Sequence, residues 1–231
     1  MEGSEVRKLA ALEDNHWWYR ERRHILKKLL EGRTPGRALD VGAAGGGNTR
    51  VLRDMGWQVS PLEYGPEGAE VAKERGLAVM RADAMQLPLS DASLDLVTAF
   101  DVLEHLEEDD RCVKEVARVL KPGGAFLVAV PADPKLWSSH DVAVSHLRRY
   151  TRETLTQVLD QPGFRLEWMK SWMVLLRPAV ALRRSSSSGS DLQPMNPIVN
   201  AGLSAVVAAE RYLPVSSLPG VSLFAEVRRT A

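Results

Sequence analysis

The stretch "RALDVGAAGGGNTRVL", residues 37–52, decides how the rest of the chain is interpreted. An apolar run ends at Asp40, a loop of small residues follows from Gly42 to Gly47, and the next residues favour a helix. A strand, a glycine-rich loop and a helix in this order can hold a nucleotide on backbone amides. The loop alone leaves the nucleotide open, and a tight turn without a ligand is the alternative.

Apolar runs alternate with helical segments on both sides of this stretch. Further strands are predicted at 57–63, 77–84, 93–100, 125–131, 165–172 and 220–229. Helices are predicted at 17–31, 47–56, 66–76, 101–120, 148–164, 173–184 and 197–213, with Thr151 and Thr154 forming a capping box. Short turns between strands and helices predict an α/β, doubly wound, mostly parallel sheet with helices on both faces.

Composition limits the classes of function. The 231 residues are 45% apolar and 26% charged with net charge +0, which suits one globular domain and does not favour nucleic acid as a partner. The single cysteine, Cys112, excludes an intramolecular disulfide and a cysteine metal cage. The sequence shows neither a signal peptide nor a run of about 20 apolar residues, so we expect a cytoplasmic protein.

Acidic residues follow three of the predicted strands. The carboxyl ends of parallel strands share one edge, so Asp40, Glu63 and Asp83 are expected around one crevice, together with "FDVLEH" after the fourth strand. Glu63 is placed to accept hydrogen bonds from ribose hydroxyls, and Asp83 offers an acceptor to an adenine amine. Asp40 would repel a pyrophosphate and attract an ammonium or a sulfonium. Each acid alone also fits a solvated turn.

The motifs "LDVGAAGGGN", "LEYGPEGAEVAKERG", "RADAMQLPLSDASLDLVTAFDVLEHL" and "RVLKPGG" resemble, in this order, those of class I S-adenosylmethionine-dependent methyltransferases. The resemblance covers residues 37–130, and more loosely "HWWYRERR" and "SSHDVAVSHLRRYT". It implies a Rossmann-like sheet of seven strands with the last antiparallel, S-adenosylmethionine as co-substrate, and methyl transfer by in-line displacement. The cofactor-binding residues that it implies are Tyr19, Arg23, Asp40, Gly42, Ala43, Ala44, Gly46, Asn48, Thr49, Glu63, Tyr64, Asp83, Ala84, Met85, Phe100 and Asp101.

Ala44 departs from the family pattern, which has glycine there. At positive φ an alanine costs roughly 1 kcal/mol, whereas at negative φ it is harmless. We predict S-adenosylmethionine binding that is weakened but present.

Histidines are the candidates for acid–base chemistry on the acceptor side. His140 and His146 flank Asp141 and are favoured over His105, which follows the fourth strand. The alternatives are a hydrogen-bonded loop for the first two and a packing role for His105. No metal site is predicted, because the histidines do not lie at ligand spacing with acids. In the N-terminal helix, Arg22 or Arg23 could bind the methionine carboxylate, with Tyr19 beside it.

We expect a single methyltransferase domain over 1–231, divided as follows: an N-terminal helical cap (1–36), a cofactor-binding core (37–130), a substrate-side segment (131–181), a flexible loop and apolar helix insertion (182–220) and a final strand (221–231). The apolar segment 171–213 could cover a small-molecule or lipid-like acceptor, contact a membrane surface, or form a lid or homodimer interface. Two other functions remain open: a nicotinamide-dependent oxidoreductase on the same sheet, and a non-catalytic methyltransferase-like protein that binds partners.

Overall fold

A computed structural model describes residues 3–184 and 195–230. Seven strands form one sheet in the order β3-β2-β1-β4-β5-β7-β6, in which β7 is antiparallel to both β5 and β6 and the other pairs are parallel. The strands are β1 (Arg37–Val41), β2 (Gln58–Glu63), β3 (Met80–Arg81), β4 (Leu94–Phe100), β5 (Leu120–Pro131), β6 (Phe164–Trp172) and β7 (Ser222–Arg229). The predicted fold class is confirmed.

The central strands are apolar because both faces of the sheet are covered. In β4, Val97 and Ala99 face one apolar cluster, whereas Leu96 and Phe100 face the other. This alternation follows from the two-residue repeat of a strand.

Nine helices surround the sheet within the described ranges. They are α1 (Gly3–Leu12), α2 (Trp17–Leu30), α3 (Gly47–Asp54), α4 (Pro66–Glu74), α5 (Asp109–Val119), α6 (Ser139–Ala143), α7 (Arg152–Leu159), α8 (Arg177–Arg184) and α9 (Pro197–Glu210). Helices α5 and α7 bury their apolar sides in the cluster that contains Val97 and Ala99. Helices α2, α3 and α9 bury theirs in the cluster that contains Leu96 and Phe100. The Thr151–Thr154 capping box at α7 is confirmed.

The third strand is much shorter than predicted. Only Met80 and Arg81 pair with β2, at the edge of the sheet, where β3 has one neighbour. Before them, Leu77 N–H donates to Ala72 O and so belongs to the end of α4. After them, Asp83 Oδ1 accepts a hydrogen bond from Met85 N, and this side-chain turn ends the strand.

The predicted continuous passage from the fourth strand into a helix is also wrong. Asp101 has φ +58° and ends β4. A 3-10 turn, Leu103–His105, follows, and α5 starts only at Asp109. The chain thereby places residues 101–108 across the end of the sheet instead of along a helix.

Within the predicted apolar segment 171–213, the described residues form the helices α8 and α9. Residues 185–194, which belong to the predicted flexible loop, lie outside the described residues. None of the helices that the structure describes is both long and apolar enough to span a bilayer.

Candidate functional site

A cavity of about 910 Å³ lies at the carboxyl ends of the parallel strands. This is where ligands bind in open α/β sheets, and the volume is at the upper end of the range for small-molecule sites. The structure brings most of the predicted site residues into its lining: Tyr19, Arg23, Gly42, Ala43, Ala44, Asn48, Glu63, Tyr64, Asp83, Ala84, Met85, Phe100, Asp101, His105, His140 and His146.

Asp40 does not line the cavity, contrary to the expectation that its carboxylate meets the ligand. It is 1% exposed, and its two oxygens accept hydrogen bonds from Thr49 Oγ1 (2.6 Å) and Thr98 Oγ1 (2.7 Å). Burial raises the pKa of Asp40 to about 6. Asp40 therefore joins β1, α3 and β4 beneath the loop. Thr49 and Gly46 also lie outside the lining.

The loop between β1 and α3 requires glycine at two positions. Gly42 has φ +69°, and a Cβ there would lie 2.6 Å from Val102 Cγ2. Gly46 has φ +80° and is the N-cap of α3, where a Cβ would clash with the Leu77 side chain. A hydrogen bond from Gly46 N to Ala43 O (2.7 Å) closes the loop. These glycines set the backbone so that the start of α3 faces the cavity.

Ala44 adopts the unfavourable conformation, with φ +43°. Its amide donates to Glu63 Oε2 (2.9 Å), and its methyl group packs against the cluster formed by Val6, Ala10 and Val71. The strain is therefore present at this position, and the packing of the methyl group with α1 and α4 offsets part of it.

Glu63 is held by three backbone amides. Ala44 N donates to Oε2, while Tyr64 N (3.0 Å) and Gly65 N (3.3 Å) donate to Oε1. A carboxylate offers about four acceptor positions, so Glu63 retains one for a ligand. The three amides fix the direction in which this position points.

The floor of the cavity contains an ion pair between a buried arginine and a partly exposed aspartate. Arg22, 3% exposed, lies 2.6 Å from Asp101 Oδ2 through Nη2. Its guanidinium stacks on Trp18 at 4.2 Å from the ring centroid and on Phe100 at 5.3 Å. Arg22 was one of two candidates in the N-terminal helix, and the structure places Arg22 beneath the cavity and Arg23 beside the loop at Gly47.

The end of α1 covers the loop. Glu13, 4% exposed, forms ion pairs with Arg75 and with Arg50 (3.3 Å). Its carboxylate lies next to Gly45 and Gly47, since a Cβ at either glycine would come within 2.7 Å of it. Sequence reasoning missed Glu13, because "LAALED" offers no pattern that distinguishes a buried acid from a solvated one.

The three candidate histidines, His105, His140 and His146, line the cavity and lie close to one another. The rings of His105 and His146 are 4.9 Å apart, and those of His140 and His146 are 6.2 Å apart. His146 Nδ1 is 2.9 Å from Asp141 Oδ1, so this carboxylate orients the imidazole. Asp141 also accepts from Arg149 Nε (2.8 Å). Burial lowers the pKa of His105 to about 4, so this ring is neutral near pH 7.

Glu104 is the other residue that sequence reasoning missed. It is 0% exposed, and neither carboxylate oxygen has a hydrogen-bond partner in the described part of the chain. Oε1 lies 3.7 Å from His146 Nε2. Burial and the nearby Asp101 carboxylate raise the pKa of Glu104 well above its usual range. The sequence signal that could have identified Glu104 is its position as an acid among the apolar residues that follow β4.

Known proteins match this chain in sequence and in fold. A family model described as a methyltransferase domain matches residues 39–128. The chain is 30% identical over 207 residues to a demethylmenaquinone methyltransferase of Tropheryma whipplei, covering 77% of this chain and 83% of the relative. This chain belongs to the family of class I S-adenosylmethionine-dependent methyltransferases.

Other methyltransferases match part of the chain or its fold. A probable S-adenosylmethionine-dependent methyltransferase of Mycolicibacterium smegmatis is 32% identical over 168 residues, covering 70% of this chain. The chain spans 64% of that relative's length. A solved complex of Haemonchus contortus phosphoethanolamine N-methyltransferase 2 with S-adenosyl-L-methionine has a TM-score of 0.64 and 19% identity over 91% of this chain and 53% of the other, which shows the shared fold.

The co-substrate of the family, S-adenosylmethionine, fits the residues at the loop end of the cavity. Gly42 lies in the lining at a φ of +69° that disfavours any side chain, and Glu63 presents its remaining acceptor position. The family membership removes the nicotinamide-dependent oxidoreductase from the alternatives.

Proposed function

We propose that this methyltransferase transfers a methyl group from S-adenosylmethionine to a small-molecule or lipid-linked acceptor. One observation carries the proposal: the glycine-rich loop, Glu63, Asp101 and the candidate histidines all line a single cavity. Donor and acceptor can therefore meet within it. Bound S-adenosylmethionine supplies a methyl group activated by a positively charged sulfur. The chain contributes alignment and the exclusion of water.

At the donor end, each residue has a defined task. Glu63 accepts from the ribose hydroxyls through its free position, and Asp83 accepts from the adenine amine. Arg22 or Arg23 binds the methionine carboxylate; Arg22 Nη1 is buried without a hydrogen bond to any described residue. Asp40 acts indirectly, because it holds Thr49 and so fixes the start of α3.

At the acceptor end, Phe100 and Asp101 form the floor. His146 is the best-placed general base, since it lines the cavity and Asp141 holds its Nδ1, which leaves the lone pair on Nε2. His105, with its lowered pKa, is a weaker base. His140 remains an alternative on its position in the lining.

The acceptor is expected to be partly apolar. Leu176 and Val180, from the segment that leads into α8 and from α8 itself, and Met195 and Leu203, before and within α9, line the cavity. An apolar wall favours an acceptor with an aromatic or lipid-like part. The Tropheryma whipplei relative, a demethylmenaquinone methyltransferase, is consistent with such an acceptor.

Calorimetric titration with S-adenosylmethionine and S-adenosylhomocysteine tests the donor site. The wild type should bind both, and Glu63→Gln should lower the affinity by about 10-fold or more, because hydrogen bonds to a charged group are worth about 1.5–3 kcal/mol. Glu70→Gln, an exposed position on α4, is the matched control and should bind as the wild type does. Absence of binding at millimolar concentration, or unchanged affinity of Glu63→Gln, contradicts the proposal.

Transfer itself is tested with a labelled methyl donor and candidate acceptors such as short-chain quinones. Label should pass to an acceptor in the presence of the wild type. Tight S-adenosylmethionine binding without transfer to any acceptor would instead support the non-catalytic alternative.

A further inference from the structure

Three metal-ligating side chains converge at the histidine end of the cavity. Glu104, His105 and His146 each bring one carboxylate oxygen or ring nitrogen within 4.8 Å of the other two. Glu104 and His105 lie in the 3-10 turn after β4, and His146 lies in the segment between α6 and α7. The spacing along the chain hides this cluster, since His146 is brought in by a distant loop.

Glu104 lacks the partners that a buried carboxylate requires. Its side chain is 0% exposed, and neither oxygen accepts a hydrogen bond within the described residues. Burying a charged group without a partner is strongly unfavourable. Arg22, whose charge acts on Glu104, already pairs with Asp101. A cation between the two histidines and Glu104 would supply the missing charge.

Both histidines are oriented in the way that metal ligands are. His146 Nδ1 is held by Asp141 Oδ1 at 2.9 Å, which directs Nε2 toward Glu104 at 3.7 Å. His105 Nδ1 is 3.0 Å from Ser145 O, so its Nε2 carries the lone pair. A metal-bound histidine almost always donates its second ring N–H to a carboxylate or a backbone carbonyl. The cluster contains one example of each.

We propose that Glu104, His105 and His146 form a binding site for one divalent transition-metal ion. One carboxylate and two imidazoles favour Zn²⁺, Mn²⁺ or Fe²⁺ over Mg²⁺ and Ca²⁺, which prefer oxygen ligands. An ion at about 2.1 Å from each ligand atom requires the three side chains to close in by roughly an ångström.

Three protein ligands leave further coordination positions open, and two of the ligands, His105 and His146, line the cavity. This is the arrangement of catalytic rather than structural metal sites. If the proposed methyl transfer is correct, the ion would bind an acceptor hydroxyl oxygen and lower its pKa. The metal would then replace His146 as the activating group, because the lone pair of Nε2 would be bound to the ion. Ion binding itself does not rest on that function and can be measured without S-adenosylmethionine.

The site is tested by titrating the protein with MnCl₂ and measuring free Mn²⁺ from its electron paramagnetic resonance signal. Competition with ZnCl₂ extends the test to zinc. We expect one bound ion per chain. Because loss of an outer partner already weakens metal sites about 10–100-fold, Glu104→Gln and His146→Gln should weaken binding by at least about 100-fold. His24→Gln, outside the cavity lining, is the matched control and should bind as the wild type does.

Thermal unfolding separates loss of the site from loss of the fold. In EDTA, Glu104→Gln should melt at or above the wild-type temperature, because it removes an unpaired buried acid. With Mn²⁺ or Zn²⁺ added, only the wild type and His24→Gln should gain several degrees. Failure of the wild type to bind either ion, or equal binding by Glu104→Gln and the wild type, overturns the proposal. A lower melting temperature of Glu104→Gln in EDTA would also overturn it, since Glu104 would then have a protein partner.

Discussion

Residues with positive φ surround the cavity. Ala44, Asp101, Ser145 and Met173 all have φ between +43° and +61° although none is glycine. Each such residue costs of order 1–3 kcal/mol, and strain of this kind concentrates at binding sites. Asp101 pairs with Arg22, and Ser145 offers its carbonyl to His105, so the strained backbone places groups that line or support the site.

Ala44→Gly tests whether this strain weakens cofactor binding. Removal of the Cβ relieves roughly 1 kcal/mol of strain and frees the loop backbone. We expect S-adenosylhomocysteine affinity, measured by calorimetry, to rise about fivefold for each kcal/mol relieved in the bound loop. Ala92→Gly is the control, since Ala92 has φ +48° in an exposed turn outside the cavity lining. Lower affinity of Ala44→Gly would show that the packing of its methyl group against α1 and α4 matters more.

At the scale of elements, the N-terminal helices close the cavity over the loop. Helix α1 packs on α4, and an exposed ion pair and a more buried ion pair connect the two helices. Arg7 pairs with Glu74 on the surface, whereas Glu13 pairs with Arg75 at a buried position beside Gly45. The buried pair, rather than the exposed one, is expected to hold α1 in place, since exposed pairs contribute little.

Glu13→Gln should therefore loosen α1. Removing one partner of a buried pair leaves the other without compensation, so amide hydrogen exchange in α1 should accelerate by about 10-fold or more. Hydrogen exchange with mass spectrometry measures this directly. Glu74→Gln, which removes the exposed pair between the same two helices, should leave the exchange unchanged. Equal effects of the two variants would mean that α1 is held by its apolar contacts alone.

The order of strands and helices could be predicted from the sequence, because strand and helix periods and glycine turns are local. The break after β4 could not, since a positive φ at Asp101 and a 3-10 turn replace the expected helix only in the folded chain. The same limit applies to the site. Glu63 lies at the cavity as predicted from its strand end, whereas Asp40 turned inward because Thr49 and Thr98 came within hydrogen-bonding distance.

At the scale of the whole molecule, the stability of the fold depends on pH through the acid at its centre. Asp40 has a pKa raised to about 6 in the folded chain and an ordinary one, about 3.9, when unfolded. A raised pKa stabilises the fold below pH 4, and this contribution is lost as the pH rises to about 6. The total is roughly 2–3 kcal/mol.

Urea unfolding of the wild type and Asp40→Asn between pH 4 and 7 measures this contribution. The difference in unfolding free energy between the two should shift in favour of Asp40→Asn as the pH rises. Asp110→Asn provides the control, because a hydrogen bond from Lys114 lowers the pKa of exposed Asp110, so this carboxyl titrates below the range and its difference from the wild type should stay nearly constant across it. A difference between wild type and Asp40→Asn that does not change with pH would show that Asp40 stays ionised in the fold.

The position of β7 between β5 and β6 has a consequence for how the chain matures during synthesis. Strand β6 leaves the ribosome before β7, yet its only sheet neighbour among the described strands is β7. In the nascent chain, the first five strands can pair with one another as each is synthesised. Strand β6, with its two tryptophans, remains unpaired at that stage. Strand β6 can therefore join the sheet only after β7, the last strand to be synthesised, has paired with β5. If translation stalls before β7, the edge of β5 and the whole of β6 stay unpaired, and such edges are prone to aggregation.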